Sequence, residues 1–188
     1  MEKFELHILG CGSPLPPTRH FPTSQIVNVR DKLFMIDCGE GAQLQFRKSH
    51  LKFSRLNHIF ISHLHGDHCF GLLGLISTLN LLGRTAELHI HSPKGLETLL
   101  TPMLDFFNRQ MTYKVLFHEF DTKEPMLIYE DRSLTVTTIP LRHRMPCCGF
   151  LFAEKRRPNH IIREMVDFYQ VPVYELNRIK NGADYVTP

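Results

Sequence analysis

The chain has 188 residues, of which 43% are hydrophobic and 22% charged, a composition that fits one globular domain with a short appendage and excludes extended disorder. Its 22 basic and 19 acidic residues leave a formal net charge of +3, which permits a nucleic-acid partner without demanding one. No apolar run approaches the roughly 18 residues of a membrane span, the first residues lack the basic-then-apolar plan of a signal peptide, and five cysteines without a CxxC spacing argue against a disulfide scaffold or a cysteine zinc site, so a reducing cytoplasm is the expected location.

Residues 4–9 alternate apolar and polar side chains as a strand does, and Gly10-Cys-Gly-Ser-Pro14 ends it. Pro14, Pro16, Pro17 and Pro22 mark the next stretch as loop. Residues 25–29 and 32–37 read as a hairpin turning at Arg30-Asp31, and a helix is expected over 42–49 after Gly39-Glu-Gly41. Residues 57–62 form a short buried strand. Apolar positions at Phe70, Leu73, Ile76, Leu79, Leu81 and Leu82 predict a helix over 69–82. A strand at 87–91 follows, then a helix opened by Pro93 and Gly95. Further strands are expected at 115–120, 126–129, 134–139 and 148–153 from their β-branched and aromatic content. Strands separated by helices imply an α/β layered sandwich. Composition shifts at Glu154, where Lys155, Arg156, Arg157, Arg163, Arg178 and Lys180 accompany one amphipathic helix over 161–168, bounded by Pro158 and Pro172. Residues 1–153 thus form the main domain and 154–188 a protruding arm.

One segment carries chemistry: Ser62-His-Leu-His-Gly-Asp-His68. His63 and His65 lie two apart, so an extended strand end points both imidazoles the same way. Gly66 is expected to let the backbone turn and bring Asp67 and His68 to a neighbouring point. The helix beginning near Asp67 is expected to aim its N-terminus at the site. Nitrogen and oxygen ligands of this kind suit Zn²⁺, with Fe or Mn as weaker options. A further ligand must come from elsewhere. His7, His89 and His91 fall in strands, His20, His50, His118 and His160 in loops or helix ends, and His58 opens a strand as a structural residue. His143 differs, because it sits on a loop after the 134–139 strand, between Arg142 and Arg144; an ordinary basic loop histidine is equally open there. Asp37, at a strand end, is a candidate to orient a ligand imidazole, with a plain turn aspartate before Gly39 almost as good a reading.

Several segments together resemble the ribonuclease Z family of metallo-β-lactamase-fold hydrolases: Gly10-Cys-Gly-Ser-Pro14, Pro17-Thr-Arg19, Asp37-Cys-Gly-Glu-Gly-Ala-Gln43, Ser62-His-Leu-His-Gly-Asp-His68 with Phe70-Gly-Leu72, and Leu141-Arg-His143 with Cys148-Gly149. The resemblance implies an αββα sandwich. It makes His63, His65 and His143 ligands of one zinc, and Asp67 and His68 ligands of a second, with Asp67 also the proton acceptor. Two metals about 3.5–4 Å apart stabilise both the attacking and leaving oxygens of a displacement at phosphorus. The implied reaction is endonucleolytic removal of the 3′ trailer from precursor tRNA, leaving a 3′-hydroxyl. Residues 154–188 resemble the family's substrate-gripping arm, with Arg156, Arg157, Arg163 and Lys180 as RNA contacts, although Gln170-Val-Pro-Val-Tyr174 replaces its Gly-Pro signature. A homodimer is implied as well. The family also uses a bridging aspartate and a last histidine that nothing after His143 supplies. The chain is therefore expected either to be a fragment of a longer polypeptide or to find the rest on another polypeptide, the intact protein holding two zincs where this chain holds one or fewer. The alternatives are a hydrolase of the same fold acting on a small phosphodiester or ester, and a non-catalytic piece that binds metal or RNA.

Overall fold

The computed structural model describes residues 4–12, 20–155 and 158–186. Six strands lie in chain order in one mixed sheet: β1 (Phe4–Gly10), β2 (Ser24–Val29), β3 (Lys32–Ile36), β4 (Leu56–Phe60), β5 (Leu88–Pro93) and β6 (Val115–Phe120). β1, β2 and β3 pair antiparallel, whereas β3 to β6 run parallel. Parallel neighbours need crossovers, supplied by α1 (Ala42–Lys48), by α2 (Gly66–Cys69) with α3 (Leu72–Leu81), and by α4 (Leu96–Phe107). A second, antiparallel sheet contains β7 (Leu127–Glu130), β8 (Leu134–Pro140) and β9 (Cys148–Glu154), and the chain goes on to α5 (Arg163–Phe168) and α6 (Leu176–Lys180).

Consecutive strand residues serve opposite cores because side chains alternate across a strand. Ile26, Met35, Ile59 and Ile90 pack with Phe46 of α1, Leu75 and Ile76 of α3, and Leu100 of α4. Val27, Phe34 and Phe60 face the other way and pack against Leu134 and Val136 of the second sheet. The central strands are covered on both faces, hence their near-continuous apolar sequence. The expected α/β layering is what forms. At the β2–β3 hairpin both Arg30 and Asp31 have positive φ (54° and 66°), the conformation of the tight turn that matches strand twist. Asn28 Oδ1 accepts the Asp31 N–H there at 3.0 Å.

Three local expectations change. The helix over 69–82 is two helices with a break at Phe70-Gly71, and Phe70, Leu81 and Leu82 are exposed while Leu72, Leu75, Ile76 and Leu79 are buried. Pro93 closes β5, and α4 starts after Gly95, whose φ of 108° is open to glycine. In the region after Glu154 a second helix, α6, joins the one expected.

The parallel register also assembles histidines that looked unremarkable singly. His58 lies beside His89, and Phe60 beside His91 beside His118, which is on β6 rather than in a loop. The rings stack with centroids 4.7 Å apart for His58 and His89, 4.5 Å for Phe60 and His91, and 4.8 Å for His91 and His118. Diagonal contacts join His58 Nδ1 to His91 Nε2 at 3.2 Å and His89 Nδ1 to His118 Nε2 at 2.9 Å. Each such contact needs one nitrogen protonated and its partner bare. Burial, and after it the neighbouring imidazoles, lowers His58 to about 4 and His91 to about 3. In the unfolded chain both titrate near 6.5. As pH falls below that value the unfolded state takes up protons that the folded state refuses, so stability is complete above pH 6.5 and drains away towards pH 3–4. Replacing both diagonal partners, as in a His58→Phe/His91→Phe double variant, should leave stability at pH 7 nearly unchanged and flatten its decline between pH 6.5 and 4. Urea midpoints across that range test this; an equally steep decline in the variant would contradict it.

Candidate metal centre

The parallel strands β3 to β6 deliver their C-terminal ends to one rim, where open α/β sheets place their ligands. Asp37 follows β3 and His63 follows β4. The β8–β9 loop meets the same rim, because the Cys148 N–H donates to the Ser62 carbonyl at 3.1 Å. That contact brings His143 over the β4 end. His63, His65 and His143 each offer a ring nitrogen such that all three lie within 4.8 Å of one another. Nε2 of His63 is 3.1 Å from Nδ1 of His65, close to the roughly 3.3 Å that separates two nitrogens on one tetrahedral zinc with bonds of 2.0–2.1 Å. Burial, and after it the adjacent His68, lowers His63 to about 4 against the opposing pull of Asp37. The ring is therefore neutral at pH 7 and able to bind a metal without first losing a proton. The residues fit a three-histidine site with an open position.

Asp67 and His68 stand beside this cluster, with His68 Nε2 at 3.5 Å from Asp67 Oδ2 and the His63 and His68 rings 3.8 Å apart. Asp37 Oδ2 receives His68 Nδ1 at 2.7 Å and the Ser62 hydroxyl at 2.9 Å, while its Oδ1 accepts the Ser62 backbone N–H at 2.8 Å. The same hydroxyl lies 3.2 Å from Nδ1 of both His63 and His68. One carboxylate and one hydroxyl thus set the orientation of two imidazoles. Ser62 was not singled out from the sequence; its only signal there is its place directly before His63.

Two glycines hold the loops together. The Cys38 N–H donates to the His68 carbonyl at 2.7 Å, and the Gly71 N–H to the Cys38 carbonyl at 2.8 Å. A Cβ on Gly39 would lie 2.4 Å from the Asp67 carbonyl oxygen, and one on Gly71 2.1 Å from that of Gly39. Neither position has room for a side chain. The chain turns at Gly66 as expected, from extended His65 into α2, without a positive φ, and the missing Cβ makes space for the Phe70 ring, which would lie 2.2 Å away. The helix expected to point at the site is the four-residue α2, too short to carry a substantial dipole. Burial raises the thiols of Cys38, Cys69 (to about 11) and Cys148 (to about 12), so they offer no thiolate at neutral pH.

Of the proposed RNA contacts, Arg156 and Arg157 lie outside the described residues. Arg163 is exposed and paired with Asp167 at 3.2 Å, and Lys180 is exposed on α6. Among the described residues no hydrogen bond or ion pair joins either one to the histidine cluster. Changing Asp37→Asn keeps the side chain's shape but places a donor against groups that now donate to it. Zinc affinity should fall by about 10–100-fold, as read by competition with a chromogenic chelator. An unchanged affinity would show that Asp37 does not orient the site.

Residues 4–157 match a family model described as "Anti-Pycsar protein Apyc1". Among curated relatives, ribonuclease Z of Bacteroides fragilis is 83% identical over the whole chain, which spans 62% of that protein; ribonuclease Z of Porphyromonas gingivalis is 55% identical over the same shares. The chain thus spans about three fifths of the length of the curated relatives it matches. The human tRNase Z short form superposes with a TM-score of 0.74 at 27% identity, covering 88% of this chain and 73% of that one. The metallo-β-lactamase fold protein YhfI of Bacillus subtilis, 15% identical, shares the fold with a TM-score of 0.61 over 87% and 66% of the two chains. The chain belongs to the family of the Apyc1 model and is a homologue of ribonuclease Z built on the metallo-β-lactamase fold.

Proposed function

We propose that the protein is a zinc-dependent endoribonuclease that removes the 3′ trailer from precursor tRNA and leaves a 3′-hydroxyl. The observation that carries this reading is the convergence of His63, His65 and His143 on one point, next to Asp67 and His68, in a chain so similar to ribonuclease Z. A divalent metal held there supplies a Lewis acid for phosphoryl oxygens and a nucleophile at neutral pH. The chain's own residues do the rest. His63, His65 and His143 would hold one zinc, and Asp67 with His68 would contribute to a second. The Asp67 carboxylate accepts the proton released on attack. Asp37 and Ser62 keep the imidazoles turned inward. The arm, residues 154–188, grips RNA phosphates through Arg156, Arg157, Arg163 and Lys180, and does so in a cytoplasmic homodimer. By itself the chain would hold one zinc or fewer, because Asp67 and His68 would give the second metal only two protein ligands.

A second reading is hydrolysis of a small phosphodiester or ester, since the matching family model is described as an anti-Pycsar protein and not as a ribonuclease. No helix among the described residues is long and apolar enough to cross a membrane.

In a longer form spanning the length of the relatives, Asp67→Ala should abolish cleavage of precursor tRNA with the fold retained by circular dichroism; near-normal turnover would remove Asp67 from the chemistry. Deleting residues 154–188 from that form should weaken tRNA cleavage far more than hydrolysis of bis(p-nitrophenyl) phosphate, with a shallower salt dependence of binding. Equal loss on both substrates would favour the small-molecule reading.

A further inference from the structure

A cleft of about 230 Å³ adjoins the histidine cluster and takes no part in holding it. Its walls come from four segments at the same rim: Leu64, Pro93, Phe120 and Met145 form its apolar surface, and the exposed Lys94 and Lys123 also line it. Leu64 lies between His63 and His65. Met145 is tied to His143, since its backbone N–H donates to the His143 Nδ1 at 3.2 Å. Adjacent residues are about 3.8 Å apart along the chain, so the wall begins within one residue of two of the three imidazoles. Pro93 and Phe120 are buried, whereas both lysines are exposed and free to reach outwards.

The cleft is smaller than the roughly 300–1,000 Å³ of sites that enclose a drug-sized ligand. It suits one flat ring system, with anything attached left at the mouth. Its apolar walls offer a flat ring dispersion contacts on its faces, a mode of binding that tolerates any base. Lys94 and Lys123 favour an anionic attached group despite the acidic groups nearby: Asp121 Oδ1 already accepts the Lys123 backbone N–H at 2.9 Å, Glu119 Oε1 accepts the Gly95 N–H at 2.7 Å, and the exposed Glu124 lies outside the lining. Arg142 and Arg144, exposed on either side of His143, extend the positive rim.

We infer that this cleft receives the base of a nucleotide next to the scissile phosphate, with Lys94 and Lys123 on that nucleotide's phosphate. The inference rests on the phosphodiesterase reading for the word scissile, but the cleft can be tested on the chain without any turnover.

The zinc-loaded chain is titrated separately with adenosine 5′-monophosphate, ribose 5-phosphate and inorganic phosphate, following amide shifts by NMR. Adenosine 5′-monophosphate should bind about tenfold tighter than ribose 5-phosphate, with shifts at Leu64, Thr122, Lys123 and Met145. A Lys94→Ala/Lys123→Ala variant should bind both sugar phosphates more weakly while keeping its zinc content and its preference for the compound with a base. Equal binding of adenosine 5′-monophosphate and ribose 5-phosphate, or shifts confined to the histidines, would overturn the inference. In the longer form, the same double variant should raise KM for an RNA substrate about tenfold with kcat within about twofold, and leave KM for bis(p-nitrophenyl) phosphate unchanged. If the longer form hydrolyses no phosphodiester but the chain still prefers adenosine 5′-monophosphate, the functional reading fails and the cleft stands. If it cleaves RNA while the two compounds bind alike, the cleft assignment alone fails.

Discussion

The site depends on the seating of one backbone turn against another. Asp37-Cys38-Gly39, leaving β3, presses against the loop from Ser62 to Gly71, which leaves β4. Two backbone hydrogen bonds through Cys38 lock the two, and neither Gly39 nor Gly71 could carry a side chain without striking a backbone oxygen. The contact places the Asp37 carboxylate under Ser62 and His68. Asp37 itself sits at a φ of 54°, a conformation that aspartate tolerates better than most residues. Ligand geometry is thus set by packing between main chains, which cannot adjust by a change of rotamer.

The protein uses imidazole in two ways, and the difference lies in what surrounds the rings. On the sheet face, His58, His89, His91 and His118 are stacked with one another and with Phe60, and their nitrogens face one another in pairs. At the rim, the His63 and His68 rings contact Asp37 or Ser62 on one side, leaving nitrogen lone pairs to converge. Both sets contain rings that burial keeps neutral at pH 7. Neutrality serves packing on the sheet and metal binding at the rim.

Much of this was legible in the sequence. The alternation of residues 4–9, the Arg30-Asp31 turn and the β-branched runs gave every strand of the two sheets within a residue or two. The HxHxDH spacing after an apolar strand picked out the rim. What was missed depends on long-range contact. The break at Phe70-Gly71 arises because Gly71 must approach Gly39, more than thirty residues earlier in the chain, and no local periodicity carries that information. The histidine ladder follows from parallel register between β4, β5 and β6; read one at a time, His58, His89 and His91 are ordinary strand residues and His118 an ordinary loop residue. Ser62 has no pattern of its own and gains meaning only when Asp37 is beneath it. Gly66 lies at the turn assigned to it, but the room its lack of a side chain leaves for the Phe70 ring has no local signal.

The central claim is that the Asp37–Ser62 support and the β8–β9 loop bring three histidines together as one zinc site. Anomalous scattering at the zinc edge from crystals of the zinc-loaded chain tests it most directly. The account predicts a strong peak bounded by His63, His65 and His143, with nitrogen ligands at about 2.0–2.1 Å. A peak on the His58, His89, His91 and His118 ladder, or none near His143, would contradict it.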